Sequence, residues 1–553
     1  MSKSTRAYAW FVFLALLLLL RPMPVLAYVL DQTTPGNPLR WPFDQPNLVH
    51  TNSLNPSTHA IRYHIASDAW SAAHRSEEIE SVRASFDQWQ AIPGVAIRFE
   101  FAGLVPPETP LHTSDHTNLV YWTREDKFVN GGRDDIRFSL ALTYLSSTNG
   151  VIHEADIVLN GRTYSWFTNP LETSPNRIFV ESTMLHEIGH LLGLDHSPAG
   201  GATMFPNGGD GIDAYLGLSS DDIAAARALY GRETDRTRRS SLHGRVTLRG
   251  EPLPGAVVAL EDIHGNLVAA NPTRIDGTFE MAGLDPGTYQ ARIFPLDPND
   301  ASQFLARGRD LSTYFLTNAI QTQFAPVVRT NLQLLPGTTL GADFEAISSS
   351  PSPRITSIRI PGSSQDPIFH SALAALARPG QSNLVVGVFS PEFPVVGGVL
   401  RVTGTGIRVG PTQMDAGGNL RGRSALIQID PNAVPGMRSL LVEWPDGSWS
   451  AAHGFLDIQP ASRDDNFDGF PDEYQRLHFP RFTAPEASPA ADPDGDGADN
   501  AHEYASGTDP QQASSVFKIL SVEVNAGGGA VRFLSLPGKR YRLFTRDAFP
   551  QGE

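Results

Sequence analysis

The spacing of apolar residues changes period several times along the chain, and each change marks an element. Ala60-Ile61-Arg62-Tyr63-His64-Ile65 alternates and predicts a strand. From Glu77 to Gln90, Ile79, Val82, Phe86 and Trp89 recur at helical spacing, which predicts a helix with these four in the core. Pro93-Gly94 breaks it. Alternation returns in Val95 to Phe101, Asn118 to Trp122, Leu140 to Tyr144 and Ala155 to Asn160, predicting four more strands. Leu218-Ser219-Ser220-Asp221-Asp222-Ile223 then leads into an alanine-rich run ended by Gly231, a serine-capped helix.

Beyond Arg232 to Ser241, a charged stretch that reads as a linker, the pattern becomes β throughout. His243 to Leu248, Pro252 to Leu260, Asp276 to Phe279 and Leu284 to Tyr289 are short alternating segments joined by turn dipeptides, as in a small antiparallel sandwich. Ser348 to Pro353 is a second linker, and Arg354 to Pro460 again reads as short strands and glycine turns. Ser514 to Glu553 alternates as two or three strands, among them Val531 to Phe533 and Tyr541 to Phe544.

The chemistry is concentrated in His186-Glu187-Ile188-Gly189-His190-Leu191-Leu192-Gly193-Leu194-Asp195-His196. Histidines four apart lie on one face of a helix, about one turn from each other. Neutral imidazoles so placed can hold one zinc ion. Gly193 can take the left-handed conformation that ends the helix, and the turn returns His196 as a third ligand. Three protein ligands leave the fourth position for water, the arrangement of a catalytic zinc. Glu187, beside the first ligand, can take a proton from that water. The alternative is an amphipathic core helix with surface histidines.

This extended motif resembles the zinc site of the metzincins. Met204 lies eight residues after His196, where that family has its Met-turn, and His196-Ser197 with L-x-x-D-D-I and L-Y-G resembles the matrixin branch in particular. The absence of a tyrosine two residues after Met204 separates it from astacin- and serralysin-like relatives. The resemblance implies a zinc endopeptidase with a twisted sheet, a zinc-site helix and an edge strand that pairs with extended substrate. It also marks departures. The second, structural zinc of many matrixins has only His112, His116 and His153 as candidates, at unmatched spacing, so these are expected to be ordinary surface histidines. Pro206-Asn207-Gly208 lacks the proline-x-tyrosine of the specificity pocket.

Length and composition place this domain in a larger assembly. The 553 residues are too many for one domain, and 41% hydrophobic content is compatible with packed cores. A formal charge of −16 argues against nucleic acid or an anionic membrane as partner. Lys3 and Arg6, the apolar run Ala7 to Leu20, and Val25-Leu26-Ala27 follow the order of a secretory signal, so residues 1–27 are expected to be removed. With no cysteine, neither disulfides nor a cysteine-based latency device can exist; metals are the expected staples, and Asp44 is an acidic candidate to cover the zinc.

Such a staple is encoded near the C-terminus. In Asp492-Pro493-Asp494-Gly495-Asp496-Gly497-Ala498-Asp499-Asn500-Ala501-His502-Glu503, oxygen ligands fall at Asp492, Asp494, Asp496, the Ala498 carbonyl, Asn500 and Glu503. That is the spacing of a calcium loop. Asp464, Asn466, Asp468 and Asp472 repeat it more weakly, because Gln475 replaces the final carboxylate. The pair resembles thrombospondin type 3-like calcium repeats. Residues 240–346 resemble a carboxypeptidase regulatory-like domain, read as a spacer or binding module. Residues 353–460, through Gly397 to Gly406 and Pro435 to Val442, resemble an immunoglobulin-like IPT/TIG module.

The fold expected is therefore multi-domain: an α+β metzincin catalytic domain, then all-β sandwich modules and a calcium-binding loop region. The boundaries expected are a signal peptide at 1–27, a matrixin-like domain at 28–235, β-sandwiches at 240–346 and 353–460, calcium repeats at 463–512 and a β segment at 513–553. The function expected is a secreted zinc endopeptidase acting on extracellular proteins with Glu187 as general base. No membrane span is expected after signal removal, and the β modules are candidate contacts to a cell surface or matrix. A different class, an extracellular adhesion protein with an inactive or self-processing peptidase domain, is the alternative.

Overall fold

The computed structural model describes residues 32–34, 37–107, 112–124, 128–129, 134–170, 177–206, 216–295, 323–359, 370–371, 373–417, 419–525, 528–534 and 541–542. The expected signal segment, Asn207-Gly208 and the end of the chain from 543 lie outside these. The chain is multi-domain, rich in sheets and poor in helices, and divides into two units, Met1–Ala461 and Ser462–Glu553. The expected boundaries near 235/240 and 346/353 fall inside the first unit.

The first unit opens with a five-stranded sheet. Its elements are β1 (Ile61–Ala66), α1 (Arg75–Ala91), β2 (Phe99–Val105), β3 (Asn118–Thr123), β4 (Ala141–Thr148) and β5 (Val151–Asn160), followed by α2 (Val180–Leu191) and α3 (Ser220–Tyr230). The strand order is β2-β1-β3-β5-β4, parallel except for β4, which runs antiparallel along one edge. α1 buries Val82, Phe86 and Trp89 completely, each side chain contributing roughly 1.5–3 kcal/mol by leaving water. Trp89 Nε1 donates to the Leu185 carbonyl at 3.0 Å and Gln88 Nε2 to Glu181 at 2.7 Å, which fixes α1 against α2.

Two local expectations need correction. The strand expected at Val95 to Phe101 starts only at Phe99. Val95 bridges Gly231, and Ala96 N donates to the Tyr230 carbonyl at 2.7 Å, so the end of α3 takes the hydrogen bonds the sheet would have used. The expected linker at 232–241 contains a short helix, α4 (Glu233–Arg236), and runs into the next strand; Arg232 N donates to the Gly94 carbonyl at 2.8 Å.

Two pairs of sheets complete the unit. In the first pair, β6 (Ser240–Leu248) is the hub of one sheet, and β7 (Ala256–Asp262), β8 (Leu267–Pro272), β9 (Thr278–Leu284), β10 (Gly287–Pro295), β11 (Val327–Leu334) and β12 (Phe344–Ser348) follow in the chain. β6 pairs with β9 and β12, while β8-β7-β10-β11 forms an antiparallel sheet. In the second pair, β13 (Leu384–Ser390) lies beside β14 (Leu420–Ile429), and β15 (Gly436–Glu443) beside β16 (Trp449–Ile458). Their shared core holds Val386, Val388, Ala425, Ile427, Leu440, Val442 and Leu456, and it also holds Phe205 from the first domain.

The second unit carries α5 (Asp472–His478), α6 (Asn500–Ser506) and a hairpin of β17 (Ile519–Asn525) and β18 (Gly528–Phe533). Phe470, Tyr474 and Tyr504 pack as a ring cluster with centroids 5.1–5.3 Å apart. Among the described residues no helix is long and apolar enough to cross a membrane.

Candidate metal centre

The site is built on the last turns of α2. Helical spacing carries His186 and His190 to one face, and each ring is anchored by its inner nitrogen. His186 Nδ1 donates to the Thr203 carbonyl at 2.7 Å and His190 Nδ1 to the Leu194 carbonyl at 2.8 Å. The two Nε2 atoms then face each other at 3.1 Å. With both Nδ1 atoms protonated, both Nε2 atoms carry lone pairs, so they cannot hydrogen-bond to each other; a shared cation reconciles them. Burial pushes the His190 pKa down to about 3 and that of His196 well below its ordinary value, so both rings are neutral at pH 7, the ligating form.

α2 ends where the motif predicts. Gly193 has φ +90°, and Leu194 N reaches back to the Gly189 carbonyl at 2.9 Å. A Cβ on Gly193 would stand 2.3 Å from the Leu39 carbonyl oxygen. The turn brings His196 to the other two: ligand nitrogens of His186, His190 and His196 all lie within 4.8 Å of one another. That separation suits one ion with bonds to imidazole of about 2.0–2.1 Å. Met204 lies against α2, for a Cβ on Gly189 would be 2.1 Å from its sulfur.

Glu187 is 5% exposed, and its Oε2 accepts a 2.5 Å hydrogen bond from Thr143 Oγ1 on β4. Burial raises the carboxyl pKa, while neighbouring His186 and the Thr143 hydroxyl oppose that rise. β4, which among the described residues pairs only with β5, is an edge strand of the sheet and lies beside α2.

Two carboxylates of α3 tie down the loop between His196 and Met204. Asp222 accepts from Thr203 N at 2.8 Å, Met204 N at 3.1 Å, Ser219 N at 2.9 Å and Ser219 Oγ at 2.6 Å. Asp221 accepts from Ser197 Oγ at 2.7 Å and, on its other oxygen, from Ala270 N at 2.8 Å. Burial and then the neighbouring Asp222 charge push the Asp221 pKa up to about 7. At the C-terminal end of α2, Trp41 Nε1 donates to the Leu191 carbonyl at 2.8 Å, and Tyr230 Oη donates to the Leu192 carbonyl. Thr143, Trp41, Asp221 and Asp222 were not singled out in the sequence as site residues. The capping motif around Ser219 carries the only local signal, since a capping box (Ser219 with Asp222) is present.

Other candidates lie elsewhere. His112 and His116 are exposed, His116 stacks on His50 at 4.8 Å, and His153 is half-buried; they form no ligand cluster among the described residues. Asp44 lines a cavity whose walls include none of the three histidines. That cavity, of about 540 Å³, is lined also by Arg40, Arg227 and Arg239, because the 39–43 segment runs behind the C-terminal end of α2.

In the second unit, Asp492, Asp494 and Asp496 present carboxylate oxygens within 4.8 Å of one another. Asp494 Oδ2, Asp496 Oδ2 and Asn500 Oδ1 are buried with no hydrogen-bond partner, and the Glu503 carboxylate is buried beside Thr508. Burial, with the Asp494 and Asp496 charges, pushes the Glu503 pKa up to about 7. The other loop is closed by amides: Asn466 Nδ2 and Gln475 Nε2 donate to Asp468 Oδ2 at 3.0 and 2.8 Å, while Asp464 accepts from Asp468 N and Gly469 N. Asp472 accepts from Asp465 N at 2.8 Å.

Residues 53–231 match the family model of the matrixins. A stretch of 54 residues is 50% identical to metalloendoproteinase 5-MMP of Arabidopsis thaliana, covering 9% of this chain and 14% of that protein. Another is 39% identical over 54 residues to matrilysin of Homo sapiens, covering 10% of this chain and 20% of that one. The chain thus spans a fifth or less of the length of these relatives. The family implies a catalytic zinc, and the neutral, inward-facing histidines fit one. Together these matches support a matrixin-type metalloendopeptidase domain over residues 53–231.

Proposed function

We propose that this is a secreted zinc endopeptidase that hydrolyses peptide bonds of extracellular proteins, with His186, His190 and His196 as ligands and Glu187 as general base. The observation that carries the reading is the pair of Nε2 atoms at 3.1 Å, each ring locked by an Nδ1 hydrogen bond to a carbonyl. Zinc bound there supplies Lewis acidity and lowers the pKa of water to near ~7. Glu187 takes the proton from the attacking water and passes it to the leaving amine nitrogen. Thr143 holds the Glu187 carboxylate in place, and β4 offers its free edge to an extended substrate backbone. Gly193 and Met204 serve as structural residues of the turn and of the floor beneath α2. Secretion rests on the leader-like order of residues 1–27.

In the same reading, calcium is a structural cofactor of the second unit. Asp492, Asp494, Asp496, the Ala498 carbonyl, Asn500 and Glu503 form its main site, supported by the buried unpartnered oxygens of Asp494, Asp496 and Asn500. Asp464, Asn466, Asp468 and Asp472 form a weaker one, because two amides already hydrogen-bond to Asp468. The stretches 240–346 and 353–460 are proposed as two β modules, 463–512 as the calcium repeats, and 513–553 as a terminal β segment.

The test is hydrolysis of unfolded casein by zinc-loaded protein, beside Glu187→Ala and a chelated sample. Activity should fall by about 10²–10⁴-fold in Glu187→Ala and vanish on chelation. Full activity in Glu187→Ala would refute the assignment of the base. A folded chain that holds one zinc and cleaves nothing would favour the adhesion reading.

A further inference from the structure

The loop from His196 to Met204 is held by α3 of its own domain and also by residues beyond it. Gly200 N donates to the His453 carbonyl of β16 at 2.7 Å. Phe205 is 1% exposed inside the core of the second β module, its ring 5.3 Å from that of Phe455 at 86°. A Cβ on Gly200 would stand 2.5 Å from two ring carbons of Phe455, and one on Gly201 would stand 3.0 Å from the Met437 sulfur and the Gly454 carbonyl. The first β module reaches the same loop through Asp221 of α3. Ala270 N of β8 holds one oxygen of Asp221, whose other oxygen holds Ser197, the residue after the third ligand. Leu267 of that module also packs beside Gly454, 3.2 Å from where its Cβ would be.

We propose that the two β modules are positioning elements of the metal centre rather than spacers. They clamp the 197–206 loop, and through it the third ligand His196 and the Met204 floor. This rests on the zinc reading above. A loop closed by its own contacts would have no use for two consecutive glycines pressed against another module; here each missing Cβ makes room for a named neighbour. Phe205 adds a direct link, because a side chain next to the Met-turn completes a core made otherwise of residues beyond 355. The physical consequence is cooperative. Anything that moves Phe455 or Met437 moves the loop, and supporting contacts of this kind commonly change metal affinity by about 10–100-fold.

Gly200→Ala in the full chain isolates this contact. Gly200 has no positive φ, so alanine meets no backbone strain and perturbs the site only by colliding with Phe455. Zinc affinity is read by competition against a chromophoric chelator, with the absorption spectrum of cobalt-substituted protein as a second readout. Gly200→Ala should weaken zinc binding at least tenfold and shift the cobalt bands. Gly200→Ala/Phe455→Ala should recover much of that loss, because the ring is gone. Val388→Ala, in the same core but on the sheet that carries neither Phe455 nor Met437, should leave the affinity within about twofold, on the additivity of independent sites. Met437→Ala, which adds no atom, should weaken zinc binding in the same direction and replaces Gly200→Ala should that variant not fold. Unchanged affinity in Gly200→Ala or, in its place, in Met437→Ala would overturn the inference, as would an equal loss in Val388→Ala. A wild-type chain that binds no zinc would instead overturn the zinc reading itself.

Discussion

Asp222→Asn separates two jobs that one carboxylate performs. Three donors converge on Oδ2 (Thr203 N, Ser219 N and Ser219 Oγ) and one on Oδ1, Met204 N at 3.1 Å. Asparagine keeps one acceptor oxygen, which belongs where three donors meet. Its NH₂ then faces the Met204 N–H, and a buried donor without a partner costs about 1–3 kcal/mol. Loss of charge assistance on the other three bonds adds roughly 1 kcal/mol each at most, and the sum is non-additive, so a total of about 3–5 kcal/mol is expected. With a urea slope of about 3 kcal/mol/M, the midpoint of the transition falls by at least about 1 M. Trp41 and Trp89 flank α2 and report that transition by fluorescence. The comparison is Ser219→Ala, which removes the cap and one donor to Asp222 but leaves the Thr203 and Met204 bonds in place, and should cost about 0.5–2 kcal/mol. Because the Thr203 carbonyl orients His186, Asp222→Asn should also weaken zinc binding, while Ser219→Ala should not. Equal effects of the two variants on both readouts would refute the argument, for Asp222 would then be only a helix cap.

Two further outcomes follow from the buried carboxyls. The Asp221 pKa is raised from 3.8 to about 7, so the folded state holds a proton that the unfolded chain has released, and stability from this group is lost as pH rises from about 4 through about 7. Asp221→Asn, whose amide can still accept from Ala270 N and donate to Ser197 Oγ, should flatten that part of the stability–pH profile; an unaltered profile would reject the assignment. Glu503→Gln should weaken calcium binding by tenfold or more in calorimetry, with Asp464→Asn changing the tight site little, and equal effects would contradict the ranking of the two loops.

What could be read in advance was what the chain encodes locally. The His186 to His196 motif is legible because helical spacing and one glycine fix its geometry within eleven residues. The cluster of Asp492, Asp494 and Asp496 is legible for the same reason, its members lying two residues apart. Thr143, Trp41 and Ala270 escaped because each meets its partner across 44, 150 and 49 residues of sequence, where no periodicity points. The strand at Val95 was misplaced for a related cause: its alternation is genuine, but the end of α3 competes for the same backbone groups and wins them.

The β modules illustrate a harder limit. Alternating apolar residues predict a sandwich whether it serves as a spacer or as a wall of the active site, because both need the same inward-facing core. The distinction lies at the contact, and its trace in the sequence is on the catalytic side. Pro198-Ala199-Gly200-Gly201-Ala202 is a run without a single side chain larger than proline, followed two residues after Thr203 by an aromatic. An exposed turn of that composition would give up conformational entropy on ordering and gain little contact in return. The glycines are intelligible only once Phe455 and Met437 occupy the space their side chains would have filled, and Phe205 only once a foreign core receives it. A run of small residues beside a metal ligand, followed by a buried aromatic, is therefore a sign that another part of the chain closes the site.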